Sequence, residues 1–305
     1  MSAPAQGPDS RTLLLFALAV VLGGSNFLAV RLSNLELPPF WGAGLRFTLA
    51  ALGFSVLMSV LRLPPPRGRV LWQMAGYGVL GIAGFYALVY WALLTVTAGV
   101  ASVVLALVPL VTVLLAAAQG LERFRLRSGL GGLVAVAGIA WLTLEPGHGS
   151  LPLGALLALL AAVACVSQSV IIAKRLQRHH PAAINAVALF TGAAVLLALS
   201  AAVGERWSLP QRPEAAWALV YLVTLGSIGL FLVLLTVVRR WTASATSYLF
   251  VLFPIATMVL EALLLAEPIT VAMAGGALVV MVGVWLGAFA PARPVATADT
   301  PSSNG

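Results

Sequence analysis

VLWQMAGYGVLGIAGFYALVYWALLTVTAGVASVVLALVPLVTVLLAAAQGL, residues 70–121, runs for 52 positions without one charged side chain. As a single helix it would extend about 78 Å at 1.5 Å per residue, against a hydrocarbon core of about 30 Å. The stretch must cross a bilayer, turn and cross back. The small and β-branched residues Thr95, Val96, Thr97 and Gly99 mark the turn. Its runs are continuously apolar and lack the short alternating pattern of barrel strands, so the spans are helices.

The same reading extends over the whole chain. Of 305 residues, 61% are hydrophobic and only 9% charged, with a mean hydropathy of +1.04. That is too little polar surface to coat a water-facing globule, which excludes an ordinary cytosolic enzyme, a disordered protein and a disulfide scaffold. Apolar runs bounded by charge, Pro or Gly fall near 12–30, 39–61, 70–91, 97–119, 128–144, 151–173, 181–203, 215–238, 243–265 and 270–290. They predict an all-α integral membrane protein of ten transmembrane helices. The first run follows Arg11 and is longer than a signal-peptide core, so it reads as an uncleaved span. Residues 1–11 and 291–305 read as disordered cytoplasmic tails. The lone Cys165 has no internal partner.

Basic residues orient the bundle. With the N-terminus in the cytoplasm, thirteen bases fall on cytoplasmic segments: Arg11, Arg62, Arg67, Arg69, Arg123, Arg125, Arg127, Lys174, Arg175, Arg178, Arg239, Arg240 and Arg293. Three, Arg31, Arg206 and Arg212, fall outside, and Arg46 lies within a span. The bias predicts that both termini are cytoplasmic. The net charge of +8 is spread between apolar runs rather than gathered in a stripe with aromatics, so no nucleic-acid partner is expected.

The chain is also duplicated. A shift of 145 aligns 97–144 with 242–289 without a gap, and 13 of 48 positions are identical. The matches include Thr97/Thr242, Ser102/Ser247, Pro109/Pro254, Thr112/Thr257, Glu122/Glu267, Gly131/Gly276 and Gly138/Gly283. Shifts of 143 or 144 continue the match through Pro38/Pro181, Phe47/Phe190 and Ser25/Ser169. Each copy, 12–145 and 151–290, holds five spans, and an odd number makes the second enter the membrane from the opposite side. Inverted-topology repeats of this kind belong to many secondary transporters, in which exchanging the roles of the halves opens the molecule to either side.

These residues resemble the EamA-type unit of the drug/metabolite transporter superfamily. The resemblance rests on GSNFLAVRLS at 24–33, PPFWGAGLRFTLAAL at 38–52, TAGVASVVLALVPL at 97–110 and GGLVAVAG at 131–138, with TASATSYLFVLFP at 242–254 and GGALVVMVG at 275–283 repeating the end of the unit. It covers roughly 12–290. It implies an exporter or exchanger with a central cavity, in a family whose members move amino acids, small metabolites, nucleotide sugars or cationic drugs. With the minimal loops, it implies a bacterial inner membrane. One departure stands out: Gly23 occupies a place where an aromatic often precedes the glycine-serine of the first span.

No HExxH, GxSxG, P-loop or CxxC motif occurs, so no enzyme activity, metal or cofactor is expected. His148, His179 and His180 fall in loops, where the adjacent pair reads as a solvated feature. Charges inside a span cost about 2.5–3.5 kcal/mol at its centre, so Arg46 and Glu261 demand an explanation. They either pair with each other, snorkel to headgroups, or line the pathway, Arg46 taking a substrate carboxylate and Glu261 a coupling proton. Further pathway candidates are Asn26, Tyr86, Ser102, Gln168, Ser169, Ser227 and Ser247, against the alternative of interhelical bonding worth about 0.6 kcal/mol. Tyr86 and Tyr90 read either as cavity walls or as outer-interface aromatics, and Tyr90, beside Trp91, suits the interface better. Pro109 and Pro254 are hinge candidates, because each removes a backbone donor in mid-span. Small residues at Gly131, Ala135 and Gly138, and at Gly276, Gly283 and Gly287, either pack within a repeat or form a dimer face, leaving monomer and homodimer open. Glu122 and Glu267 read as caps or local salt-bridge partners, for example of Arg123 to Arg127. The expected partners are a small-molecule solute, the lipid bilayer, and a coupling proton or counter-solute. The alternatives to a secondary transporter are a membrane enzyme acting on lipid-linked substrates and a non-transporting receptor or scaffold.

Overall fold

The computed structural model describes residues 9–121, 126–143, 152–176, 178–240, 243–266 and 268–289. Among these, all regular structure is helical. The first repeat contains α1 (Ser10–Ser33), α2 (Pro39–Val60), α3 (Arg69–Gly78), α4 (Phe85–Ala92), α5 (Ala98–Leu105), α6 (Val108–Ala118) and α7 (Leu126–Thr143). The second contains α8 (Leu153–Arg175), α9 (Pro181–Ala202), α10 (Pro213–Val223), α11 (Leu230–Arg240), α12 (Ala243–Leu265) and α13 (Val271–Val284). Seven segments are long and apolar enough to cross a membrane: Ser10–Ser33, Pro39–Val60, Arg69–Ala92, Ala98–Ala118, Leu153–Ala173, Pro181–Ala202 and Pro213–Leu234. Leu126–Trp141, Leu249–Leu265 and Val271–Gly287 are shorter apolar helices. Large apolar side chains such as Trp72, Leu14 and Val271 lie exposed on the outer wall, the arrangement expected of a surface solvated by lipid.

The start of the chain differs slightly from expectation. Asp9 caps α1 by accepting from the Thr12 amide at 3.0 Å, so helix begins at Ser10 and takes in Arg11. The reversal inside 70–121 falls where its small residues pointed. α4 ends at Ala92, and Thr97 caps α5 by accepting from the Val100 amide at 3.3 Å.

Two irregularities are duplicated, one faithfully and one not. The third span passes through a π turn at Val79–Gly84 and the eighth through another at Thr224–Gly229. The two turns are offset by the same 145 residues as the sequence repeat. Such turns break the ordinary helical ladder and frequently occur at functional sites. The prolines behave differently. Before Pro109 the helix is interrupted at Ala106 and Leu107, where amides tighten onto the carbonyls of Val103 and Val104 at 3.2 and 3.1 Å. Pro254 lies inside the uninterrupted helix α12.

The principal helix pairings join one repeat to the other: α2 with α9, α7 with α13, α1 with α12, and α4 with α8. The glycine stripes therefore pack between repeats, rather than within one repeat or as an outward dimer face. A Cβ on Gly131 would lie 2.5 Å from the Gly283 carbonyl oxygen, and one on Gly283 would lie 2.5 Å from the Ala135 nitrogen. Only glycine allows that backbone approach.

Three carboxylates tie the repeats together at one end. Glu36, after α1, accepts from the amides of Gln211 and Arg212 at 2.8 Å, ahead of α10. Glu205, after α9, accepts from Phe40 and Trp41 at 3.2 and 2.7 Å, in the first turn of α2. Glu261 accepts from Ala98 and Gly99 at 2.9 and 2.7 Å, in the first turn of α5. Glu205 and Glu261 thus satisfy orphan donors in the first turn of a helix in the opposite repeat and complement its dipole, while Glu36 holds the backbone just ahead of α10.

Candidate functional site

Arg46 sits about two turns into α2 and is 0% exposed. Its Nε donates to Ser227 Oγ at 3.0 Å. One terminal nitrogen donates to the Gly226 carbonyl at 3.1 Å and to Asn26 Oδ1 at 3.4 Å, and the other to Tyr90 Oη at 3.4 Å. The guanidinium carbon lies 4.8 Å from the Phe47 ring centre and 5.2 Å from that of Tyr86, which adds cation–π attraction. Asn26 also donates from Nδ2 to the Gly226 carbonyl at 3.0 Å. That carbonyl belongs to the second π turn and receives both side chains at once. A Cβ at Gly226 would lie 2.2 Å from Asn26 Oδ1, so glycine is required for the approach.

The structure gives Arg46 and Glu261 separate partners. Glu261 is 1% exposed, and its Oε1 accepts from Arg31 Nη1 at 2.7 Å in addition to the α5 amides. Arg31 is in the last turn of α1 rather than in a free outer loop. Among the described residues no carboxylate pairs with Arg46. Neutral oxygens and aromatic faces hold a buried cation here without cancelling its charge. Leaving such a charge unpaired is expensive, and the site is complementary to an anion that would pair with it.

The structure brings together Asn26, Arg46, Tyr86 and Ser227 from the first, second, third and eighth spans. Tyr90 joins them: it is 0% exposed and bonded to Arg46, and only its neighbour Trp91 faces outward. Sequence position suggested an interfacial tyrosine, but the helix turns Tyr90 inward. Ser25 shares a hydrogen bond with Tyr221, another residue that sequence reasoning had not singled out. Ser227 and Gly226 were marked by LGxxG, which occurs at 80–84 and again at 225–229.

Other candidates lie apart. Gln168 accepts from Gln119 at 2.7 Å, joining α8 to the end of α6. Ser169 and Ser102 bond to their own helices, at Val166 and Gly99. Ser167 donates to the Val108 carbonyl at 3.2 Å, beside the break before Pro109. Where Gly23 lacks an aromatic, the Phe253 ring fills the space, 2.3 Å from where a Cβ would stand. The side chain of Ser247, together with Glu122, Glu267 and His148, lies outside the described residues. No cluster of three metal-binding side chains occurs among the described residues.

The model of the EamA-like transporter family matches residues 10–144 and again 152–288. The chain belongs to the EamA-like transporter family. This member is 32% identical over 274 residues to a probable terminal-alkyne amino-acid exporter of Streptantibioticus cattleyicolor, covering 88% of this chain and 91% of the relative. It is 26% identical to a probable amino-acid metabolite efflux pump of Salmonella typhimurium, with 89% and 93% covered. It is 29% identical to the uncharacterized inner membrane transporter YedA of Escherichia coli K12, with 78% and 77% covered. A solved crystal structure shares the fold at a TM-score of 0.64 and 22% identity, over 91% of this chain and 96% of that one. The EamA-like chain is an integral membrane transporter, and its relatives bear the names of transporters and exporters rather than enzymes.

Proposed function

We propose that this EamA-like chain is a secondary exporter of amino acids or amino-acid-derived metabolites in the bacterial inner membrane, and that Arg46 receives the solute's carboxylate. The observation that carries this reading is a fully buried guanidinium with no carboxylate partner among the described residues. In a low-dielectric interior it favours a carboxylate and repels a cationic drug. Asn26, Ser227 and the buried Phe47 hold the guanidinium in place, and the half-buried Tyr86 offers a ring to the solute's apolar part. The names of two relatives, an amino-acid exporter and an amino-acid metabolite efflux pump, support the same solute class.

The architecture in this reading is ten transmembrane helices in two inverted five-helix repeats, with both termini cytoplasmic. Energy comes from a solute or ion gradient, because the sequence carries no nucleotide-binding motif. The repeats alternate access by exchanging roles. In this reading the glutamate clamps hold one end shut, and opening it releases the amides of α2 and α5 and those just ahead of α10. Glu261 is the coupling-proton candidate, and Pro109, where the helix is broken, is the stronger hinge candidate of the proline pair.

Flux of labelled amino acids from proteoliposomes tests the reading. Measured above protein-free vesicles, the protein should carry apolar amino acids and not their methyl esters, while Arg46→Gln abolishes the difference between acid and ester. Equal flux of acid and ester through the unaltered protein overturns carboxylate recognition. Flux of neither, in vesicles that retain folded protein, overturns the solute class.

A further inference from the structure

At the opposite end from the glutamate clamps lies a cavity of about 300 Å³ that the transport reading does not use. The 22-residue helix α2 separates the two ends by about 33 Å. The cavity's rim is Pro64, Pro65 and Pro66, set between Arg62 and Gly68, whose φ angles are 51° and 62°. Three consecutive fixed φ angles make this wall stiff. Its floor is apolar: Leu63, Val70 and Met74 from the first repeat and Ala183 from the second. Arg67, His179 and His180 complete the lining, and among the described residues no carboxylate does. His180 Nδ1 accepts from the Ala182 amide at 3.2 Å, which leaves the ring proton on Nε2 as a donor. Arg67 has no ion pair or hydrogen-bond partner among the described residues. Beside this end Val60 and Trp72 are exposed, Trp72 by 78%, as befits a helix surface at the lipid interface.

We propose that this cavity binds the phosphate of an anionic phospholipid of the phosphatidylglycerol type, bridging the 61–68 loop and first turn of α3 in one repeat and the start of α9 in the other. Arg67 supplies the charge, and the histidines donate to phosphate oxygens. The apolar floor takes the glycerol and first methylenes, leaving the acyl chains to run down the exposed helix wall. A free phosphate uses the basic groups but gains nothing from the floor, and a zwitterionic lipid brings its own cation to the arginine. Basic pockets between membrane helices commonly hold anionic headgroups in this way.

Native mass spectrometry of the detergent-purified full chain, titrated with phosphatidylglycerol or phosphatidylcholine, tests the proposal. The expected result is one retained phosphatidylglycerol per chain, preferred over phosphatidylcholine by roughly tenfold. Arg67→Gln combined with His179→Gln and His180→Gln should erase the preference. Should that variant fail to elute as a monodisperse species, Arg67→Gln alone must still lower it several-fold. Equal retention of the two lipids overturns the proposal, as does an unchanged preference in the variants. Complete displacement by millimolar inorganic phosphate overturns the lipid as occupant and leaves a free-anion site.

Discussion

Around the second π turn, Asn26 and Arg46 of the first repeat meet Gly226 and Ser227 of the second. The repeat-related positions around the first π turn hold Val170 and Leu189 with Gly81 and Ile82. Both turns sit against the first helix of the opposite repeat, Gly226 on Asn26 and Gly81 on Ser169. The backbones therefore match, and the chemistry does not. At the apolar copy, helices close directly: a Cβ on Gly192 would stand 2.5 Å from Ile82, and Leu189 is fully buried. At the polar copy, a guanidinium occupies the equivalent space. Glu261 shows the same divergence, since its counterpart Ala116 is a buried methyl. In the proposed function, the duplicated scaffold would supply two conformers of similar energy, and the polar groups, confined to one copy, would supply a single binding point.

The hardest test of this contrast is Leu189→Arg, which installs the charge in the copy that has no acceptors for it. It should cost at least about 3 kcal/mol, seen as lost monodisperse protein. Tolerance of the change would mean that the apolar copy is not tightly packed. Arg46→Leu makes the polar copy resemble its mate. Flux of the carboxylate solute should fall on the order of 10–100-fold. The melting temperature should hold or rise, because an uncompensated buried cation is removed. A fall in both flux and melting temperature would reassign Arg46 to folding.

Glu261→Gln keeps the shape and removes the charge that holds Arg31. Stability should drop by about 1–3 kcal/mol, read as a melting temperature lower by a few degrees. An unchanged melting curve would deny the clamp its role in binding the repeats. The finest comparison is between two serines. Ser227→Ala should reduce flux by about 2–10-fold through loss of one bond to Arg46. Ser169→Ala, whose hydroxyl serves only its own helix among the described residues, should stay within about twofold. Equal effects would erase the distinction between the copies.

Spans and turns could be read from the sequence because lipid imposes length and polarity on every crossing segment. The turn at 93–97 and the helices over 39–60 and 181–202 follow from that constraint alone. Partners could not. α1 is apolar around its whole circumference, so hydropathy marks no inward face, and Arg31 could not be matched to Glu261 across 230 residues. Arg46 and Glu261 were both conspicuous as intramembrane charges, yet their depth said nothing of azimuth. The two prolines read alike in sequence, yet the helix is interrupted before Pro109 and continuous through Pro254, because whether the ladder parts depends on packing around it. The π turns carried a signal in their repeated LGxxG, but it lay outside the longest ungapped alignment.

The seam between α7 and α13 has a mechanical consequence. With backbone touching backbone at Gly131 and Gly283, no side chain there can change rotamer to absorb sliding. The seam therefore has no tolerance for growth: a methyl added at either glycine would meet main chain, and the two helices would have to part to admit it.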